Sequence, residues 1–288
     1  MAIGKILAVV TGSPRDTAAL SYAIEAARPF NAHVVALFVR PDLTEAIAFF
    51  NDGVSGIVVD EVVKASRDAA DEAGHRIEAT IASVCARASV PVREKPARSD
   101  GVTLSFRQQQ GNLGDQLTEA ARLADIVVFG RLHDGDKAGL ADAFVQVLVD
   151  TDRPVLLATD TAPVPFARRI AIGWDGKTAA SQAVSAAIPF LARADRVEIL
   201  SVQRSSANPQ PTQALREYLA LHGIEAAERV ILRSSKSTGE VLLEAAIAGG
   251  ADLLVVGGYG HGRIRESLIG GVTRHVITHA KLPVFMVH

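Results

Sequence analysis

The chain has 288 residues, 48% of them hydrophobic and 22% charged, which is apolar material enough for one large core or two ordinary ones and excludes a wholly disordered chain. With 30 Lys and Arg against 32 Asp and Glu the formal charge is -2, so no global basic footprint suits nucleic acid or an anionic membrane surface. The single cysteine, Cys85, excludes an intrachain disulfide, and no apolar run approaches the ~18 residues of a membrane span.

The N-terminus, Met1-Ala2-Ile3-Gly4-Lys5, lacks the charged-then-apolar order of a signal peptide, and a cytoplasmic protein is expected. Ile6–Val10 reads as a buried strand that ends in the turn Thr11-Gly12 and leads into an alanine-rich helix. After a second strand, Pro41–Gly56 reads as a loop or a short inserted helix, and Ser55–Ala88 as a long helix. Pro91–Gly111 is poorly periodic, with room for a strand at Thr103–Gln108. Ala124–Gly130 is strand-like, a helix starts near Asp142-Ala143-Phe144, and Val155–Ala158 is a last short strand. The proline-rich run 160–165 is too short for a floppy linker, so 1–160 and 166–288 are expected to be two domains packed together.

In the second half, strands are expected at Arg169–Trp174, Arg196–Val202, Glu228–Leu232, Asp252–Val256 and Pro283–Val287. Helices are expected at Ala179–Arg193, Gln213–His222, Thr238–Gly249 and Val272–Ala280. The strands are continuous apolar runs, which argues for burial on both faces and hence for a parallel sheet between helices. With aromatics at only 5%, the core should be built from Ala, Val, Ile and Leu.

The halves look like two copies of one plan. Ile6–Gly12 and Ile170–Gly176 match at an offset of 164 residues. Ala124–Gly130 matches Ala251–Gly257 at 127, and Arg153–Ala158 matches Leu282–Val287 at 129. The first copy therefore carries 37 extra residues between its first and penultimate strands. The reading is α/β: two tandem doubly wound domains, each a mainly parallel five-stranded sheet flanked by helices. Pro154 and Pro283 each open a last strand, as suits a sheet edge. Val155–Ala158 and Val284–Val287 are therefore candidates to pair with each other across the halves.

In such a sheet ligands bind beyond the carboxyl ends of the strands, at the point where strand order reverses. The most informative stretch follows the fourth strand of the second half: Gly257-Gly258-Tyr259-Gly260-His261-Gly262-Arg263, then 264–269, then Gly270-Gly271-Val272-Thr273. Its glycines allow close backbone approach, and Gly270-Gly271 sits where a helix offers unpaired N–H groups to a phosphate. No lysine follows a glycine at phosphate-loop spacing, and Arg263 stands where a dinucleotide fingerprint needs its third glycine.

Gly257-x-x-Gly260, nine residues, then Gly270 and a small residue resembles the nucleotide motif G-x2-G-x9-G-[ST] of the universal stress protein family. Both halves resemble that family's domain, which implies a tandem member of the adenine nucleotide alpha hydrolase-like fold. The resemblance implies that ATP or AMP is bound in the second half, with Gly257, Gly260, Gly270 and Gly271 at the ribose and phosphates. It places Asp175 at the family's acidic position, Val202 where the backbone reads adenine, and Val256 below the base. Val272 and Thr273 continue the cradle, and Gly176, Gly262 and Arg263 are lesser candidates. Position 271 is Gly where the motif has Ser or Thr, so one hydroxyl donor is missing. The first half departs further: Arg131-Leu132-His133-Asp134 follows Gly130, no glycine pair precedes the next helix, and Thr11 replaces the acid matched by Asp175. Asp134, Asp136 and Asp142 would repel a triphosphate there. That half is read as degenerate.

Blander roles stand beside these. Asp175 serves equally as a cap of the following turn. Arg263 and Arg265 suit a solvated loop, and His275 with His279 suits a helix surface better than a metal. His261 has no nucleophile partner, Cys85 reads as a small buried residue, and Trp174 as core. The expectation is an adenine-nucleotide-binding stress-response protein whose first half is structural or regulatory. No metal site or catalytic residue is assigned, although Asp175 alone could recruit Mg²⁺ to a bound phosphate. A slow ATP hydrolase is the first alternative, at most weak because no base, lysine clamp or carboxylate pair converges. A ligand-free interaction scaffold is the second. Neither nucleic acid nor a membrane is expected as partner. A homodimer stays open, and no protein partner is identified.

Overall fold

The protein is described by a computed structural model, which covers residues 3–42, 56–133, 139–162, 165–203, 211–233, 235–258 and 271–288. In the N-terminal half β1 (Lys5–Val9) is followed by α1 (Asp16–Ala27), β2 (His33–Pro41), α2 (Gly56–Ala88) and β3 (Thr103–Gly111). Then come α3 (Leu113–Ala121), β4 (Ile126–Phe129), α4 (Leu140–Asp150) and β5 (Val155–Leu157). The C-terminal half runs β6 (Arg169–Gly173), α5 (Thr178–Leu191), β7 (Arg196–Gln203), α6 (Gln213–Leu221) and β8 (Ala226–Leu232). It ends with α7 (Thr238–Ala248), β9 (Leu253–Gly257), α8 (Gly271–His279) and β10 (Val284–Val287). The poorly periodic stretch before position 111 does hold a strand, and an isolated bridge from Val92 to Leu104 runs along its outer side.

The strands form one ten-stranded sheet in the order β3-β2-β1-β4-β5-β10-β9-β6-β7-β8. Every neighbouring pair is parallel except β5 and β10, which are antiparallel, with Val284 opposite Leu157 and Met286 opposite Val155. The two last strands thus pair across the halves, and each half's exposed edge is covered by the other. The strand order reads the same from the centre outward in both halves, so the repeat seen in sequence is a pseudo-twofold in space. Pro154 and Pro283 sit just before these strands, and their carbonyls accept from Val127 and Leu254 without any proline N–H being needed.

Both sheet faces are buried on the inner strands, whereas the outer strand β8 is largely exposed. On β1, Ile6 and Ala8 point into a layer under α1, α2, α5 and α6, while Leu7 and Val9 point into the layer under α3, α4, α7 and α8. This two-sided burial is why the strands read as unbroken apolar runs. The core is not purely aliphatic, however. One group of aromatics lies where the halves meet: Phe190 of α5 lies edge-on to Phe30, Phe166 and Phe285, with centroids 5.4–6.0 Å apart. Tyr22 of α1 reaches Phe166 at 5.7 Å and shares a 2.9 Å hydrogen bond with Thr159. Rings fill a junction between two preformed layers better than branched aliphatics do, because each covers a large area in a fixed geometry.

Most of the first half's excess length is α2, 33 residues against 9 in α6. Its inner stripe carries Ile77, Ile81, Val84 and Cys85 into the core, and burial pushes the Cys85 thiol up, away from reactivity. At the amino end of β2, buried His33 bonds Thr103 through Nδ1 (2.6 Å) and Ser105 through Nε2 (2.8 Å), a link between β2 and β3 that periodicity alone does not announce.

Candidate functional site

Strands β9, β6 and β7 lie side by side, with Gly173 paired to Val256 on one side and Leu200 on the other. The chain leaves β6 for β7 and later returns to β9 on β6's other flank, so strand order reverses between β6 and β9. In doubly wound sheets such a reversal is where a ligand crevice lies, beyond the carboxyl ends of the strands. Val202 on β7, Asp175 and Gly176 after β6, and Val256 and Gly257 at the end of β9 all stand at this end of the sheet. Because β10 is parallel to β9, the connecting α8 must also start at this end of the sheet, where Gly271, Val272 and Thr273 form its first turn. Gly260, Gly262, Arg263 and Gly270 lie outside the described residues, as do His261 and Arg265.

The glycines serve different ends. Gly176 sits at φ 73°, a left-handed turn that a side chain would strain. Gly257 is demanded by packing: a Cβ there would come within 2.6 Å of the Ala180 nitrogen and 2.7 Å of the Ala179 carbonyl carbon. Its absence lets the end of β9 lie against the first turn of α5. Gly271 is the opposite case, since a Cβ would meet nothing within 4 Å. A larger residue fits at that position. Thr273 is buried on α8, and Val272 is exposed.

Asp175 is largely exposed, accepts the Lys177 N–H at 3.1 Å and stands 3.8 Å from the Lys177 ammonium. It caps the turn, which is one of the two roles read from sequence, and its carboxylate stays exposed just beyond β6. Helix α5 has no side-chain cap of its own. Trp174 donates through Nε1 to the Pro211 carbonyl at 3.3 Å and packs against the core. His275 and His279 stack on α8, rings 4.3 Å apart and 7° from parallel. Burial and the neighbouring His279 push the His275 imidazole below its usual range. Among the described residues no group of three His, Cys, Asp or Glu side chains is placed to hold a metal ion.

The first half shows what replaces the missing acid. Gly12, at φ 78°, occupies the turn position of Gly176. Position 11 is Thr, but a carboxylate arrives from five residues on. Asp16, buried at the start of α1, accepts from the Thr11 N–H (3.1 Å), the Gly12 N–H (2.7 Å) and the Thr11 hydroxyl (3.2 Å). Burial pushes the Asp16 carboxyl up, opposed by the bonds from Thr11, Gly12 and Ser13. The turn N–H groups that could meet an anion are therefore committed inside the protein. The spacing Ser13-x-x-Asp16, related to a capping box, is the signal that could have announced this. After β4, Arg131 and His133 both engage Asp160, at 3.1 and 3.0 Å. Burial alone would raise the Asp160 carboxyl, but the hydrogen bond from His133 and the charges of His133 and Arg131 hold it below its ordinary value. Asp142 stands in the first turn of α4, and Asp134 and Asp136 lie outside the described residues.

Residues 167–288 match the model of the universal stress protein family. No curated protein matches the chain. Among solved structures, a universal stress protein from Archaeoglobus fulgidus DSM 4304 superposes with TM-score 0.65 at 17% identity, over 98% of this chain and 97% of that one. A putative universal stress protein from Pseudomonas aeruginosa UCBPP-PA14 gives 0.56 at 15% identity, covering 99% and 93%. A functionally unknown protein from Pseudomonas aeruginosa PAO1 gives 0.58 at 16%, covering 99% and 92%. At such identities the likeness shows the fold, and it shows it across both halves. Residues 167–288 are thus similar to the universal stress protein family, and the N-terminal half repeats the same fold in tandem.

Proposed function

We propose that the C-terminal half, residues 166–288, binds an adenine nucleotide at the crevice between β6 and β9, and that residues 1–160 form a degenerate domain with a structural or regulatory role. The observation that carries this reading is the placement of the glycine motif. It begins at Gly257 at the end of β9 and ends at the first turn of α8, where unpaired N–H groups and the helix dipole favour phosphate. The residues fit such a ligand. Gly271 leaves open space where a phosphate oxygen would approach, and the Val202 backbone lies at the end of β7, within the reach of a base seated over Val256. The Asp175 carboxylate at the mouth suits a ribose hydroxyl or a phosphate-bound Mg²⁺. Among the described residues Asp175 is the one carboxylate assigned there, and slow ATP hydrolysis is the alternative to binding alone. A cytoplasmic stress-response role follows from the family, and no helix among the described residues is long and apolar enough to cross a membrane.

Mass spectrometry of small molecules released on denaturation tests the reading directly. ATP, ADP or AMP near one per chain is the expected result. A protein that releases none and gives no calorimetric signal with millimolar ATP would leave an interaction scaffold as the reading. Release of ADP or AMP alone would make steady-state hydrolysis the next measurement.

A further inference from the structure

The N-terminal half contains a cavity of about 660 Å³ beyond the carboxyl ends of β1 and β2, and α2 forms one wall of it. The volume is within the range of pockets that enclose a small organic ligand. The shape follows from one stripe of α2. Toward the strands it carries large core residues, Ile77, Ile81 and Val84. Continued one turn at a time past the strand ends, the same stripe becomes Ala73, Ala70, Ala69 and Ser66, all lining the cavity. The helix is held at core distance by its large residues while its small ones leave space.

The lining says what kind. Val10, Phe38, Val39, Leu113, Leu140 and Ala143 give it apolar walls. Among the described lining residues there is no Lys or Arg, while Asp42 and Asp142 are present. The phosphate-binding devices of this position are spent internally. The Thr11 and Gly12 N–H groups go to Asp16, and the Gly114 and Asp115 N–H groups go to Asn112, at 2.9 and 3.3 Å. Gln146 donates to Asp115 at 3.0 Å. Beside those two carboxylates, the Ser66 hydroxyl and the amide oxygen of Gln146 are available for orientation. We propose that this cavity binds a non-anionic, largely apolar small molecule with one or two hydrogen-bonding groups, a class distinct from the nucleotide of the C-terminal half. The long helix that distinguishes the first half is then the wall that converts a nucleotide-type crevice into an apolar pocket.

The test uses the full-length protein and the neutral fluorescent probe N-phenyl-1-naphthylamine. The expected result is saturable binding of one probe per chain, undiminished by millimolar ATP. Ala70→Trp and Ala69→Trp each fill the cavity and should weaken probe binding at least about tenfold, with far-UV circular dichroism unchanged. Ala69 is the more exposed position and decides the matter if Ala70→Trp does not fold. Absence of saturable binding, displacement of the probe by ATP, or equal binding by a folded tryptophan variant would overturn the proposal. ATP calorimetry on the same variants reads the C-terminal site separately, so failure of one site is not mistaken for failure of the other.

Discussion

Gly271 heads α8 with nothing near its missing Cβ, so its cost is chemical rather than steric. Restoring a hydroxyl by Gly271→Ser adds one donor to the proposed phosphate cradle. A neutral hydrogen bond contributes about 0.5–1.5 kcal/mol, so calorimetry should show roughly twofold to tenfold tighter ATP binding. Unchanged affinity would argue against a cradle at that turn. In the first half the corresponding burden falls on Asp16, which holds two backbone N–H groups and the Thr11 hydroxyl. Asp16→Ala orphans those donors, and urea unfolding should show a loss of about 1–3 kcal/mol. Asp16→Asn, which keeps an acceptor oxygen without the buried charge, should lose much less. Thr11 looked like plain loss of an acid in the sequence. The spatial repair by Asp16 was not read, because the side chain reaches back over a turn that only the folded backbone defines.

At the scale of elements, Gly257 ties β9 to α5. Gly257→Ala forces a Cβ against the backbone of Ala179 and Ala180, and overpacking of this kind costs about 1–3 kcal/mol. The melting temperature should therefore fall in the absence of nucleotide, which a glycine serving only ligand approach would not produce. The β2–β3 pair carries its own pH dependence. Burial, and then the charges of Arg107, Lys5 and Arg93, push the His33 imidazole below its usual range. As pH falls below about 6.5 the unfolded chain takes up the proton first, so stability drops, by at most about 1.4 kcal/mol per pH unit for this one group. Urea unfolding at pH 7.5 and 5.5 should show this loss in the native protein and a flatter dependence in His33→Gln. Identical slopes would remove His33 as the cause. The helices and strands themselves were legible, since apolar runs and alanine-rich stripes carry their period locally. The strand at Thr103–Gly111 was the hardest, because its outer half, Arg107–Gln110, is polar at the end of an edge strand.

The whole molecule is one sheet with one seam. β5 and β10 join the halves by backbone bonds, and the Phe30, Phe166, Phe190 and Phe285 cluster joins them by side chains. Both halves are therefore expected to unfold together. Trp174, the single tryptophan, reports the C-terminal half, and far-UV circular dichroism reports both. The two probes should give coincident urea transitions. Phe190→Ala removes the central ring of the seam and should cost about 3–5 kcal/mol, shifting both probes together. Separation of the two transitions in the native protein would mean that the seam does not couple the halves.

Composition, the strand-like runs and their repetition at fixed offsets sufficed for the tandem doubly wound plan, because burial on both faces and helix amphipathicity are written residue by residue. The strand that the glycine motif follows was legible for the same reason. The sequence could nominate β5 and β10 to pair, but only the folded chain set their antiparallel register. It alone gathered scattered aromatics at the seam, carried Asp16 back to the turn that lacks an acid, and stood α2 off the strand ends to leave a cavity. Each of these depends on the distance between residues far apart in the chain or on the direction of a side chain across a turn. Local pattern does not encode such distances; the packing of two layers on a twisted sheet does.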